Sequence, residues 1–237
     1  MFFFDPMYFL FMIPPLIFMF YAQAKVSSTF KKYSQVASSS RISGVEAAQK
    51  LLRANGLENV KVESAQGKLS DHYDPGKKVL RLSADVGNSN SVAALGVVAH
   101  EVGHAVQDKA GYSFMRFRTA MVPAANIGSN LGYLFAIIGL ILYTASGIKL
   151  GLSVAYFGIF LFSLAVIFSL ITLPVEFNAS SRARAMLQST GLVSVQEING
   201  ASAVLSAAAL TYVAATLQAV AQLLYFIFML MGVRRND

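Results

Sequence analysis

The chain reads as an α-helical integral membrane protein with a small α+β region at the cytoplasmic face. Three observations predict this. Hydrophobic residues fill 55% of the 237 positions and the mean hydropathy is +0.55, carried by long uncharged runs; crossing a bilayer takes about 20 such residues in a row. Basic residues are concentrated: residues 25–121 hold fourteen of the nineteen Lys and Arg against eight acidic residues, a local net of +6, which places that segment in the cytoplasm by the positive-inside rule. The same segment carries short alternating stretches, capped helices and an HExxH sequence.

The overall charge of +7 could also serve a nucleic acid, but the membrane bias explains the asymmetry without one. The bilayer is therefore an expected partner and nucleic acid is not. The chain has no cysteine, which excludes a disulfide framework and a thiolate site. Any metal must be held by His, Glu or Asp.

Residues 7–24 form the first apolar run, and Pro14-Pro15 predict a kink in it. Ala22-Gln23-Ala24 resembles a signal cleavage site, but Asp5 is the only early charge and no basic segment precedes the run, so a retained anchor is expected. Lys25, Lys31 and Lys32 hold its end in the cytoplasm. The helix continues over residues 25–36, and Ser38-Ser39-Ser40 form a joint. Ser43-Gly44-Val45-Glu46 is a capping box. The helix it opens buries Val45, Ala48 and Leu52 and stops at Asn55-Gly56.

Val60 and Val62 alternate with charged residues and predict a short strand. Asp71-His72-Tyr73-Asp74-Pro75-Gly76-Lys77 reads as a turn. Val79, Leu80 and Leu82 make a second strand, which offers an edge to which an extended peptide can add.

Gly87 to Ser91 supply capping residues for the next helix, which runs to about Lys109 and ends at Gly111. It carries Ala99-His100-Glu101-Val102-Gly103-His104-Ala105. A helix turns about 100° per residue, so positions four apart share a face. His100 and His104 can then aim at one point, as zinc requires of nitrogen ligands about 2.0–2.1 Å away. Glu101 lies one residue round, where it can reach a metal-bound water and take its proton. The plain alternative is a solvated face with two histidines. Against it, the chain has only three histidines. Gly103 also sits inside the helix at a cost of about 1 kcal/mol, which a close approach to metal or to a facing backbone explains. Asp108 has two readings, a carboxylate that orients His104 or a solvated charge. His72 has three: an oxyanion partner, a metal ligand, or a side chain that holds its own loop.

Arg116 and Arg118 mark the next membrane boundary. Residues 122–145 and 150–173 form the second and third spans, joined by Ser146-Gly147-Ile148-Lys149. This hairpin returns Pro174 to the side that residue 121 left. Glu176 lies 176 − 104 = 72 residues beyond His104, yet on the same side. A carboxylate there completes a His2Glu zinc site with its fourth position left for water. The alternative is a helix-start carboxylate favoured by the helix dipole. Ser180, one turn later, can bond His100 or Glu176. Arg182 and Arg184 read as interfacial anchors, or one of them as an oxyanion partner. Residues 203–231 are the last apolar stretch, where Thr211, Gln218 and Gln222 share a face suited to helix contacts.

Asp71-His72-Tyr73-Asp74-Pro75, Leu80-Arg81-Leu82-Ser83, the run from Ala99 to Gln107, and Val175-Glu176-Phe177-Asn178-Ala179-Ser180 together resemble the YugP-type neutral zinc metallopeptidases, a prokaryotic membrane family. The resemblance spans nearly the whole chain and implies a membrane-bound zinc endopeptidase. More distantly the site is similar to HtpX-type membrane gluzincins, where a Glu-x-x-x-Asp helix gives the third ligand. Glu176 takes the Glu position, and Ser180 stands where those proteases carry Asp.

The expectation is thus a multi-pass plasma-membrane protein with a zincin-like α+β catalytic region in the cytoplasm. It is divided into an anchor (1–24), a catalytic region (25–121), a transmembrane hairpin (122–173), a ligand-bearing helix (174–202) and a C-terminal membrane helix and tail (203–237). His100, His104 and Glu176 hold Zn²⁺, and Glu101 is the general base. The substrate is a peptide or a membrane-protein segment. A non-catalytic scaffold with a structural metal is the competing reading, and the oligomeric state is open.

Overall fold

The computed structural model describes residues 5–67 and 70–234. The first four residues of the expected anchor and the last three of the expected tail lie outside them. In chain order the elements are α1 (Pro6–Ser34), α2 (Gly44–Ala54), β1 (Lys61–Ala65), β2 (His72–Asp74), β3 (Val79–Ser83), α3 (Ala84–Gly87), α4 (Val92–Lys109), α5 (Ser113–Ile127), a π-helical turn (Gly128–Gly132), α6 (Tyr133–Ser146), α7 (Lys149–Ser189) and α8 (Glu197–Arg234). Four helical stretches are long and apolar enough to cross a membrane: Pro6–Ser34, Ser113–Ser146, Lys149–Ser189 and Glu197–Gly232. The chain is mostly helical with one small sheet, and it divides into two compact units, residues 1–21, 117–173 and 212–237 in one and residues 22–116 and 174–211 in the other.

The second of these units holds the sheet. The Ser43 capping box forms as its sequence dictates: the Glu46 carboxylate accepts from the Ser43 N–H at 2.8 Å, and Ser43 Oγ accepts from the Glu46 N–H at 3.3 Å. The apolar stripe of α2 then buries Ala47, Ala48, Leu51 and Leu52. Strand order is β1-β3-β2, with β1 parallel to β3 and β2 antiparallel to it. The edge expected of the Val79–Leu82 strand is therefore corrected. The Asp74 carboxylate caps the turn by accepting from the Gly76 and Lys77 N–H groups, both at 3.0 Å. This folds His72–Asp74 back onto β3, which becomes the middle strand, and β2 is an outer strand instead. Leu51, Leu80, Val86, Leu95, Val98, Val102, Val175, Leu187 and Leu192 pack in one core. Each such burial stabilises by about 1.5–3 kcal/mol.

Within that core α4 and the start of the 174–189 segment of α7 come unusually close. A side-chain carbon on Gly103 would stand 2.7 Å from the Ala179 carbonyl oxygen. The facing-backbone explanation for a mid-helix glycine is thereby met.

Among its described residues the other unit has helices and no strand. Gly128, Gly132 and Gly139 on one side and Gly158 on the other bring the α5–α6 stretch against α7 so tightly that any added Cβ would meet backbone, the small-residue packing that membrane helices use. Met12, Leu140, Phe162, Tyr225 and Phe226 fill its core. Gln218 Nε2 reaches Met12 Sδ at 3.4 Å, whereas Thr211, which belongs to the sheet-bearing unit, bonds back to the Ala208 carbonyl of its own helix. Leu10, Ile17, Phe20, Phe157 and Phe160 are exposed, which suits a lipid-facing surface.

Candidate metal centre

Helix α4 is started by Ser91, whose Oγ accepts from the Ala94 N–H at 3.2 Å. The helix presents His100 and His104 on one face, with their rings 4.8 Å apart between centroids. From α7, Glu176 enters the same space with only 1% of its surface exposed. Glu176 Oε2 lies 3.1 Å from His100 Nε2 and 3.6 Å from His104 Nε2. The three candidate ligand atoms all lie within 4.8 Å of one another.

These residues fit a zinc ion. Two ligands about 2.1 Å from an ion at the tetrahedral angle stand about 3.4 Å apart, and the two His–Glu separations bracket that spacing. The donor set, two imidazoles and one carboxylate, is that of a catalytic zinc site with one position left open.

The rings are oriented from outside the cluster. Ser180 Oγ lies 3.1 Å from His100 Nδ1, and Gln107 Oε1 lies 3.0 Å from His104 Nδ1. Of the two sequence options for Ser180, the contact is thus with His100. The residue at His104 is Gln107, not Asp108. Asp108 accepts instead from the Tyr73 hydroxyl at 2.7 Å and pairs with Lys78, one turn away from the histidines. Gln107 carried a legible signal, since a side chain three positions on shares the face of His104.

Glu101 is buried beside the three ligand candidates but turns toward the sheet. Its Oε2 accepts the Tyr73 backbone N–H at 3.1 Å. No local pattern could have disclosed that partner, because the donor is main chain from β2. Burial pushes the Glu101 carboxyl up to about 7; the charge of His100 opposes this, while Glu176 and Asp71 add to it. Burial also pushes the Glu176 carboxyl up, but hydrogen bonds and charges from His100 and His104 outweigh it and hold the group below the usual carboxylate range.

His72 lies apart from these groups. It points to the opposite side of β2 from the buried Tyr73, its Nδ1 2.8 Å from the Ser70 carbonyl oxygen and its Nε2 3.4 Å from Arg81 Nη1. Of its three readings this geometry matches the one that holds the loop. Arg182 Nε donates to Asn178 Oδ1 at 2.8 Å, four residues back along α7.

The family described as "Putative neutral zinc metallopeptidase" matches residues 8–231 of this chain. A relative from Bacillus subtilis (strain 168), named "Putative membrane protease YugP", is 45% identical over 218 residues, covering 92% of this chain and 94% of the relative. No solved structure matches the chain.

Proposed function

The chain belongs to this neutral zinc metallopeptidase family, and on that premise we propose that it is a membrane-bound zinc metalloendopeptidase whose site faces the cytoplasm. One observation carries the reading: His100, His104 and Glu176 converge from two helices far apart in sequence, while Glu101, one residue from His100, is held off the cluster by the Tyr73 N–H. Three groups are thus set to bind and one to move a proton.

His100, His104 and Glu176 would hold the zinc. When bound, it polarises the scissile carbonyl and lowers the pKa of a water. Glu101 takes the proton from the attacking water and later gives it to the leaving amine. The Tyr73 N–H fixes one Glu101 oxygen and leaves the other to meet the reacting atoms. Ser180 and Gln107 hold the two imidazoles so that Nε2 of each faces Glu176. The lysines and arginines of residues 25–121 support the cytoplasmic placement. The expected substrate is a peptide or an exposed segment of a membrane protein.

The test is cleavage of an unstructured polypeptide by the purified full chain in detergent. Cleavage should need zinc, stop with a chelator and return when zinc is restored. A zinc-loaded chain with no cleavage of any tested polypeptide, and with four protein ligands on the ion, would make it a scaffold instead.

A further inference from the structure

Gln107 is wholly buried on α4, and it touches both helices that build the metal centre. Its Oε1 lies 3.0 Å from His104 Nδ1, and its Nε2 donates to the Val175 carbonyl at 2.7 Å and to Asn178 Oδ1 at 3.0 Å. Val175 is the residue immediately before Glu176.

Donor and acceptor chemistry fixes every orientation in this chain of contacts. A guanidinium only donates, so Arg182 Nε, 2.8 Å from the Asn178 side chain, requires the oxygen of that amide to face it. The Val175 main chain likewise presents an oxygen. Gln107 thus meets two acceptors on the α7 side and must turn its NH₂ toward them. Its own oxygen then faces His104, and an amide oxygen only accepts. His104 must carry its proton on Nδ1, which leaves Nε2 as the free lone pair in the neutral ring. That is the nitrogen 3.6 Å from Glu176 Oε2.

We infer that Gln107 is a positioning residue that couples the two helices of the centre: it sets the tautomer of His104 and ties α4 to the main chain just ahead of Glu176. The second imidazole and the carboxylate then reach the ion as one unit. This rests on the reading of His100, His104 and Glu176 as zinc ligands.

The experiment uses the full chain in detergent, with zinc affinity read by competition with a chromophoric chelator and folding by circular dichroism. Gln107→Met conserves volume but removes all the hydrogen bonds. It should keep the helical content and bind zinc about 10- to 100-fold more weakly, the usual cost of losing a group that orients a metal-bound histidine. Wild-type affinity in folded Gln107→Met overturns the inference. A second measurement needs no variant of Gln107. In zinc-loaded protein labelled with ¹⁵N-histidine, the His104 signals, assigned by their loss in His104→Gln, should show a proton on Nδ1 and the metal on Nε2. Metal on Nδ1, or no proton there, overturns it as well. The underlying ligand reading fails separately, by retention of wild-type zinc affinity in a His100→Ala/His104→Ala double variant. Loss of zinc there with wild-type affinity in Gln107→Met defeats the Gln107 role alone.

Discussion

Ser180 Oγ stands 3.1 Å from His100 Nδ1, across the gap between α7 and α4. The hydroxyl can accept the ring proton and so direct the other nitrogen toward Glu176, the job a carboxylate does at many zinc sites. Ser180→Ala removes the contact and little volume. Zinc affinity is expected to fall about tenfold with the melting temperature of the metal-free chain nearly unchanged. An affinity equal to wild type would show that His100 is oriented by packing alone.

The contact between Gly103 and the Ala179 carbonyl predicts an unusual cost for a conservative change. Gly103→Ala gains about 1 kcal/mol of helix propensity. It also drives a methyl group into a main-chain oxygen that cannot rotate away, and overpacking of that kind costs about 1–3 kcal/mol. The second effect wins because the opposing atom is backbone. The variant should melt lower, by about 2–4 °C for each kcal/mol lost, and bind zinc more weakly because Glu176 moves with α7. Thermal scans with and without zinc check both.

Glu101→Gln keeps the Tyr73 N–H acceptor and the shape of the side chain. Peptide cleavage should fall by about 10²–10⁴-fold while zinc stoichiometry holds. The same variant has a stability signature in the metal-free chain. Burial raises the folded-state carboxyl from 4.5 to about 7, so folding favours the protonated form. Stability is then full below pH 4.5 and declines as pH rises toward 7, by roughly 3 kcal/mol if the whole shift is expressed. Gln cannot ionise, so the variant should be the more stable protein at pH 8 and no more stable at pH 4. Chelator-treated samples melted at the two pH values decide it; equal differences at both would rule out a buried, strained carboxyl.

Tyr73 gives a contrasting prediction, because its two polar groups do different work. The main-chain N–H serves Glu101 and the hydroxyl serves Asp108. Burial, with Asp108 adding to it, pushes the phenol up, so the hydroxyl stays a donor at any working pH. Tyr73→Phe should therefore cost about 1 kcal/mol of stability and leave cleavage within a few-fold of wild type. A hundredfold loss of cleavage in a folded variant would mean that the phenol acts on substrate.

Much of this protein was legible in short stretches. The Ser43–Glu46 capping box, the end of α2 at Asn55-Gly56 and the pairing of His100 with His104 on one helix face each depend on residues within a turn of one another. The apolar helices were legible too, because an uncharged run of some 20 residues has few other uses. The middle position of β3 was not. It needs His72–Asp74 to fold back through the Asp74 turn, and three residues with one buried side chain give no periodic signal.

The sequence by itself determined the chemistry that can occur here: two imidazoles a helical turn apart, a carboxylate one residue round, and a further glutamate just past the end of a long uncharged run. Only the tertiary structure decided which of these groups meet and which way they face. It chose Gln107 over Asp108 as the partner of His104, gave Glu101 a main-chain donor from β2, and left His72 outside. The reason is range. Helical spacing is fixed by backbone geometry over a few residues, whereas a hydrogen bond between residues 107 and 175 exists only after the core between α4 and α7 has packed.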